Sequence, residues 1–194
     1  MLASGSAVRR QLLENAGVPH TVDPASVDEV SVRDSLLAED VGHGAIAETL
    51  AELKAQEVSA RHGGALVLGA DQVLSCAGKL FEKPPCVDKV EAHLAALMGK
   101  PHALCTSAVV VRDGDVLWHH NSSATLHMRK LSDTFLASYV ASVGAAVCAS
   151  VGAYQLEGLG AQLFDSIEGD HFDILGLPLL PLLAFLRNEG VIEA

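Results

Sequence analysis

Residues 65–72 read Ala-Leu-Val-Leu-Gly-Ala-Asp-Gln, an unbroken apolar run that ends in two polar side chains. An apolar run without alternation is typical of a strand buried on both faces, as in the sheet of an α/β protein. Functional groups in open α/β sheets gather beyond the carboxyl ends of strands. We therefore expect Asp71 and Gln72 at or near such an end, where a carboxylate can hold a metal ion or activate water. An Asp in this place is also typical of an ordinary turn.

Helix and strand patterns alternate on both sides of this strand, which supports the α/β class. The strongest helix precedes it, because Ile46, Leu50 and Leu53 recur at helical spacing. We predict helices over residues 6–16, 45–62, 87–98, 132–143 and 178–188, short strands at 2–3, 20–22 and 78–81, and a hairpin of residues 103–112 and 116–128. Surface loops are expected over residues 23–40, 82–85 and 152–169. The strand at 2–3 is so short that we expect its beginning to precede residue 1.

The composition excludes several classes of protein. The 194 residues suit one large domain or two small lobes, and the 49% of hydrophobic residues can build a sizeable core. A net charge of −11 argues against broad nucleic-acid binding, which needs a basic surface. No apolar run of about 18 residues and no signal-peptide pattern occur, so we expect a cytoplasmic protein without a membrane span. The four cysteines form no C-x-x-C pair and the nine histidines lack ligand spacing, so zinc binding and histidine catalysis are not expected.

The opening segment Ser4-Gly5-Ser6-Ala7-Val8-Arg9-Arg10 combines a small-residue turn with the start of a helix. Free amides at a helix start let a phosphate approach, and hydroxyls and guanidiniums add charge-assisted hydrogen bonds. Ser4, Ser6, Arg9 and Arg10 are therefore candidate phosphate-binding residues. The segment taken alone is more typical of an ordinary capped surface helix.

Two later segments carry weaker signals of the same kind. Lys83 stands before the Pro84-Pro85 pair, where its charge can neutralise a phosphate, although a solvated lysine in a turn is the commoner case. The block of residues 152–179 contains five glycines with interspersed carboxylates. Glycines allow a loop to approach a ligand closely, so this block favours a functional loop over a simple turn.

Taken together and in this order, the motifs resemble those of the Maf family of nucleoside triphosphate pyrophosphatases. The resemblance covers nearly the whole chain. Each motif is short, but the set of motifs in this order is specific for the family. The matching motifs are Leu2-Ala3-Ser4-Gly5-Ser6 with Arg9, Val27-Asp28-Glu29, Lys54, Gly69-Ala70-Asp71-Gln72, Lys83-Pro84, and the block from Glu157-Gly158 to Gly176-Leu177-Pro178.

The resemblance implies a fold similar to that of inosine triphosphate pyrophosphatases. This is an α/β fold with an elongated mixed sheet and flanking helices around a central cleft, here one domain over residues 1–194 with two lobes. It also implies cleavage of a nucleoside triphosphate to the monophosphate and pyrophosphate, as house-cleaning of modified nucleotides. A divalent metal (magnesium or manganese, possibly cobalt) and a homodimer are further implications.

The resemblance also implies roles for single residues. Asp71 corresponds to the proton acceptor that activates water, and Glu29 to a ligand of the metal or the water. Ser4, Arg9, Lys54 and Lys83 correspond to contacts with phosphate. Asp71 and Glu29 are therefore the expected metal ligands, and Lys54 and Lys83 complete the expected catalytic set.

Three positions resemble those that discriminate between substrates in this family, and they are Val8, Gln72 and Glu157 here. The pair of Gln72 and Glu157 resembles the branch of the family that acts on 7-methyl-GTP. The carboxylate of Glu157 could accept hydrogen bonds from a guanine edge and would suit a cationic methylated base. Val8 replaces the aromatic side chain of that branch and removes a base-stacking surface. A broader nucleotide range therefore stays open.

Two other functions stay open at this stage. A nucleotide-binding regulatory protein linked to cell division, with little catalysis, would bind triphosphates without releasing pyrophosphate. A generic α/β hydrolase or phosphatase would release orthophosphate, but the sequence has no G-x-S-x-G elbow for it.

Overall fold

The computed structural model describes residues 1–193. Its α-helices are α1 (Ala7–Asn15), α2 (Glu29–Ala38), α3 (His43–Ser59), α4 (Val90–Leu97), α5 (Asp133–Val143), α6 (His171–Ile174) and α7 (Leu179–Asn188). Its strands are β1 (Val67–Cys76), β2 (Lys79–Phe81), β3 (Pro101–Arg112), β4 (Asp115–Met128) and β5 (Phe164–Glu168). Short 3-10 helices cover Val87–Lys89, Gly144–Ala149 and Leu159–Leu163.

The five strands form one sheet in the order β2-β1-β3-β4-β5. The β1–β2 and β4–β5 pairs are antiparallel, and Leu2 adds isolated parallel bridges to Val22 and to Leu68. The predicted hairpin is confirmed as β3 and β4, whose turn places Asp113 and Gly114 at φ 52° and 88°. This confirms the predicted α/β fold, a sheet with flanking helices. Among residues 1–193, every helix is too short or too polar to span a bilayer.

The chain divides into two compact units. The first comprises residues 1–72, 105–123 and 170–194, and the second comprises residues 73–104 and 124–169. Strand β1 therefore passes from the first unit into the second after Gln72. The assignment of residues 1–194 to a single domain stays a prediction.

Strand β1 is buried on both faces in the first unit, as predicted. Leu68 belongs to a core cluster with Leu12 of α1 and Leu182 of α7. Val67, its neighbour in the strand, belongs to a second cluster with Ala51 of α3. Because successive residues of a strand point to opposite faces, α1 and α7 cover one face and α3 covers the other.

Gly69 determines how closely α3 lies against β1. A Cβ atom at this position would lie 2.1 Å from the carbonyl oxygen of Ala51 and 3.0 Å from the Cβ of Ala55. Any side chain would therefore push the helix away from the strand.

Three sequence predictions were wrong in detail. Residues 29–38 form α2 within the expected loop of residues 23–40, and none of its side chains is buried, so no apolar period marks this helix. Asp71 and Gln72 lie in the middle of β1, because residues 73–76 continue the strand. The glycine-rich segment 152–169 is only partly a loop, since it contains a 3-10 helix at 159–163 and β5 at 164–168.

The second unit buries a polar pair in an aromatic cluster. The Nε2 atom of His102 lies 2.7 Å from the Tyr154 hydroxyl, and both rings contact Phe164. The Nδ1 atom of His102 is buried and has no hydrogen-bond partner within residues 1–193. Burial lowers the pKa of His102 to about 4, and the nearby His93 and His127 act in the same direction.

We predict that Gly69→Ala lowers the free energy of unfolding by about 1–3 kcal/mol or more, because the methyl group displaces α3. Urea unfolding followed by circular dichroism measures this. The matched control is Gly44→Ala, which lies on the exposed side of α3 with no atom within 4 Å of the added Cβ. This variant should be neutral or up to about 1 kcal/mol more stable. Equal effects of the two substitutions would contradict the close helix–strand contact.

We also predict that the protein loses stability as the pH falls. The folded chain keeps His102 neutral between its ordinary pKa of 6.5 and about 4, whereas the unfolded chain takes up a proton there. The unfolding free energy should therefore fall over this range, by up to about 3 kcal/mol. The double variant His102→Phe/Tyr154→Phe removes both groups and should flatten this decline. Identical pH profiles for the two proteins would refute the assignment.

Candidate active site

A buried lysine joins two carboxylates in the first unit. Lys54 of α3 lies with its Nζ atom 2.5 Å from Oδ1 of Asp71 and 2.9 Å from Oε1 of Glu29. Lys54 and Asp71 are each 7% exposed, whereas Glu29 opens α2 at the surface. The structure thus brings together three residues that lie 17 to 42 positions apart in the sequence.

The close contact between α3 and β1 explains this cluster. Asp71 follows Gly69 by two positions and so lies on the same face of β1, towards α3. Lys54 follows Ala51 by three positions, which places both on one side of the helix. Helix α3 lies closest to β1 where Ala51 faces Gly69. Lys54 and Asp71 follow these two residues in the helix and in the strand, so their side chains meet beside this contact.

Arg9 is a second buried cation in this unit. Its Nη1 atom donates to the Ser4 hydroxyl at 3.0 Å and to the carbonyl of Ala70 at 2.8 Å, and its Nε atom donates to the carbonyl of Gly176 at 2.7 Å. Burial lowers the pKa of Arg9, and the negative charges of Asp71 and Glu29 oppose that shift. Arg9 therefore lies in the electrostatic field of the two carboxylates and ties three chain segments together.

Gly176 allows this arrangement of Arg9. Its backbone adopts φ 91°, a conformation that favours glycine. A Cβ at this position would also lie 3.4 Å from the Nε and Nη2 atoms of Arg9. The Gly176-Leu177-Pro178 motif thus contributes a close contact to the guanidinium.

Gln72 points to the face of β1 opposite to Asp71, because the two residues are neighbours in a strand. Its Nε2 atom donates to the Thr106 hydroxyl at 2.8 Å, to the carbonyl of Asp173 at 2.8 Å and to that of Ile174 at 3.2 Å. The side chain therefore links β1 to β3 and α6.

The other predicted phosphate-binding residues differ in their surroundings. The Ser6 hydroxyl accepts from the amide of Arg9 and caps α1, as predicted. Ser4 is buried, and its hydroxyl also accepts from the amide of Ser6. Arg10 is exposed and forms an ion pair with Glu14 at 3.6 Å, so the structure does not join it to the buried Arg9.

The remaining specificity and catalytic candidates lie elsewhere. Val8 is partly buried and contacts the core cluster that contains α1 and α7. Lys83 and Glu157 are both exposed and belong to the second unit. The roles of Lys83 and Glu157 stay predictions.

Sequence reasoning missed two polar residues beside Gln72. Thr106 is 1% exposed in β3, and Asp173 is 8% exposed in α6. Burial raises the pKa of Asp173, an effect that a hydrogen bond from Ser122 partly offsets. The available signal was a Thr-Ser pair inside the otherwise apolar residues 103–111, since a buried hydroxyl needs a partner.

The donor chemistry of Glu29 and Asp71 fits a hard divalent cation. Each contacts Lys54 through one carboxylate oxygen, so its second oxygen is outside that ion pair. Within residues 1–193 no cluster of three or more His, Cys, Asp or Glu side chains is placed to hold a metal. Magnesium commonly binds one or two carboxylates together with substrate phosphates, so two carboxylates suit a metal that arrives with a nucleotide.

Comparison with known proteins gives full-length matches. Residues 1–189 match the family described as Maf-like protein. The chain is 55% identical over 190 residues, 98% of either protein, to a nucleoside triphosphate pyrophosphatase of Paramagnetospirillum magneticum. It is 48% identical over 193 residues, 100% of this chain and 97% of the relative, to one of Ruegeria pomeroyi. It is also 51% identical over 193 residues, again 100% and 97%, to a 7-methyl-GTP pyrophosphatase of Mesorhizobium japonicum.

We predict that Lys54→Met lowers the free energy of unfolding by about 3–5 kcal/mol, because it leaves the buried Asp71 carboxylate without its cation. The matched control is Arg61→Met, which removes a surface ion pair with Glu57. That pair should contribute less than about 1 kcal/mol. Denaturant unfolding of both variants measures the difference, and a Lys54→Met effect as small as that of Arg61→Met would show that the lysine pair is not a buried one.

Proposed function

Because the chain belongs to the Maf family, we propose that it hydrolyses a nucleoside triphosphate to the nucleoside monophosphate and pyrophosphate. The observation that carries this proposal is the contact of Lys54 with both Asp71 and Glu29, beside the buried Arg9. Activated water and charge neutralisation are the two requirements of phosphoryl transfer, and acids and cations together can meet both. The names of the relatives support the same reaction.

The four charges of this cluster, three of them buried, are balanced before substrate binds. Arg9 and Lys54 offset Asp71 and Glu29, so a bound triphosphate adds negative charge that these four residues do not neutralise. The proposal therefore needs further cations, and Lys83 and Arg10 are the candidates in the chain. Ser4 and Ser6 would add hydrogen bonds to phosphate oxygens.

Asp71 is the proposed general base. Its carboxylate accepts a proton from a water molecule, whose oxygen attacks the α-phosphorus while the bond to the bridging oxygen of the β-phosphate breaks. The ammonium group of Lys54 holds the Asp71 carboxylate in position. Glu29, which also contacts Lys54, orients the water.

A divalent cation is part of the proposal. Glu29 and Asp71 would hold magnesium or manganese, possibly cobalt, and when bound the ion would offset phosphate charge and polarise the phosphoryl oxygens. Arg9 and Lys54 already offset Asp71 and Glu29, so the added charge of a triphosphate supports such an additional cation.

The proposed substrate is a modified guanine nucleotide such as 7-methyl-GTP, and a broader range of nucleotides is the alternative. Gln72 and Glu157 support the guanine assignment by resemblance, whereas Val8 offers no aromatic surface for stacking. A homodimer completes the proposal and rests on the family resemblance alone. The cytoplasmic location stays the prediction made from the sequence.

We predict that Asp71→Asn reduces pyrophosphate release by at least about a hundredfold, since it removes the general base. Nucleotide binding should persist, because Arg9 and Lys54 remain. The matched control is Asp115→Asn, an exposed residue at the start of β4, which should keep the wild-type rate. Pyrophosphate release from a panel of standard and methylated triphosphates, with magnesium, manganese and cobalt in turn, measures both.

The same assay separates the rival functions. Near-normal turnover in Asp71→Asn would overturn the assigned base. A wild-type protein that binds triphosphates without hydrolysing them would instead be a regulatory nucleotide-binding protein. Release of orthophosphate in place of pyrophosphate would indicate a phosphatase.

A further inference from the structure

The orientation of the Gln72 amide is fixed by its surroundings. Its nitrogen faces the carbonyl oxygens of Asp173 and Ile174 at 2.8 and 3.2 Å. A carbonyl oxygen only accepts hydrogen bonds, so a reversed amide would set two acceptors against each other. These two carbonyls therefore favour an amide nitrogen that points inward, and Thr106 completes the constraint.

Thr106 adds an independent constraint on the same amide. Its hydroxyl donates its single proton to the carbonyl of Asp173 at 2.9 Å. It can then meet Gln72 at 2.8 Å only as an acceptor, which again requires the amide nitrogen there. Because Thr106 is 1% exposed, water cannot readily replace this contact.

The fixed amide leaves Gln72 with one group for a ligand. Both N–H groups are engaged with the three oxygens, whereas the side chain as a whole is only half-buried. Gln72 can therefore offer its Oε1 atom, an acceptor, and cannot offer a donor.

A glutamine restricted in this way discriminates between purine bases. Adenine pairs with a free glutamine through one donor and one acceptor, which needs both amide atoms. Guanine presents the N1–H and N2–H₂ groups side by side, and both can donate to one oxygen. Gln72, which offers only its Oε1 acceptor, can thus bind a guanine base. It cannot form the pair of hydrogen bonds with adenine, because that pair also needs a donor.

We propose that Thr106 is a positioning residue for base selection, which holds the Gln72 amide so that only its oxygen faces the base of a guanine nucleotide. This inference rests on the proposed function, because it assumes a nucleotide beside Gln72. It assigns a role to a hydroxyl on β3 that is 1% exposed.

The test measures nucleotide binding by calorimetry in the Asp71→Asn background, where turnover does not interfere. The probes are GTP, 7-methyl-GTP and ATP. The parent should bind the guanine nucleotides more tightly than ATP. Thr106→Val removes the acceptor at nearly constant shape and should reduce that preference about fivefold to tenfold, the equivalent of one hydrogen bond. Thr106→Ser keeps the hydroxyl and should retain the parent preference.

A double-variant comparison shows whether Thr106 acts through Gln72. Gln72→Met should reduce the preference by itself, and adding Thr106→Val to it should change the GTP-to-ATP ratio no further. If Thr106→Val does not fold, Gln72→Met gives the deciding result. An unchanged ratio in Thr106→Val or in Gln72→Met, or a parent that does not prefer guanine, would overturn the inference.

The outcomes distinguish this inference from the proposed function. Guanine-selective binding that depends on Thr106, in a wild-type protein that releases no pyrophosphate, would support the inference and contradict the proposed reaction. Pyrophosphate release by a protein whose base preference does not change in Thr106→Val would support the proposed reaction and contradict the inference. A chain that binds none of the three nucleotides would contradict both.

Discussion

The buried ion pair between Lys54 and Asp71 is the constraint on which the site depends. Two charges removed from water persist only when they are closely paired, and a separation of 2.5 Å satisfies this condition. The pair in turn requires α3 to lie against β1, which Gly69 permits. The position of the Asp71 carboxylate beside Lys54 therefore depends on the close packing that Gly69 allows.

Arg9 gives the site its second fixed point. Its guanidinium is held by the Ser4 hydroxyl and by two backbone carbonyls, at Ala70 and Gly176. A cation bound to backbone has little freedom to rearrange, and a pre-organised cation is what stabilisation of phosphate charge requires. The same contacts join α1, β1 and the segment after α6, so the site is built into the core of the first unit.

Much of this arrangement could be predicted from the sequence, and the failures have physical causes. The apolar run of residues 65–70 lies in a local pattern, and the structure confirms it as a strand buried from Val67 onward. The predicted helix start at Ser6 is confirmed by its cap. Helix α2 was missed because it buries no side chain and so carries no apolar period. Asp71 was expected at a strand end because the unbroken apolar run stops there, whereas the strand continues through residues 73–76. Thr106 and Asp173 were missed because their partners are distant in sequence.

The central claim is that Lys54 and Asp71 stabilise each other as one buried pair. A double-mutant cycle on the free energy of unfolding, with Lys54→Met, Asp71→Asn and the double variant, measures this coupling most directly. We expect a coupling energy of about 2 kcal/mol or more, because either single change leaves a buried group without its partner. Single effects that add within about 0.5 kcal/mol would show two independent residues and would contradict the account.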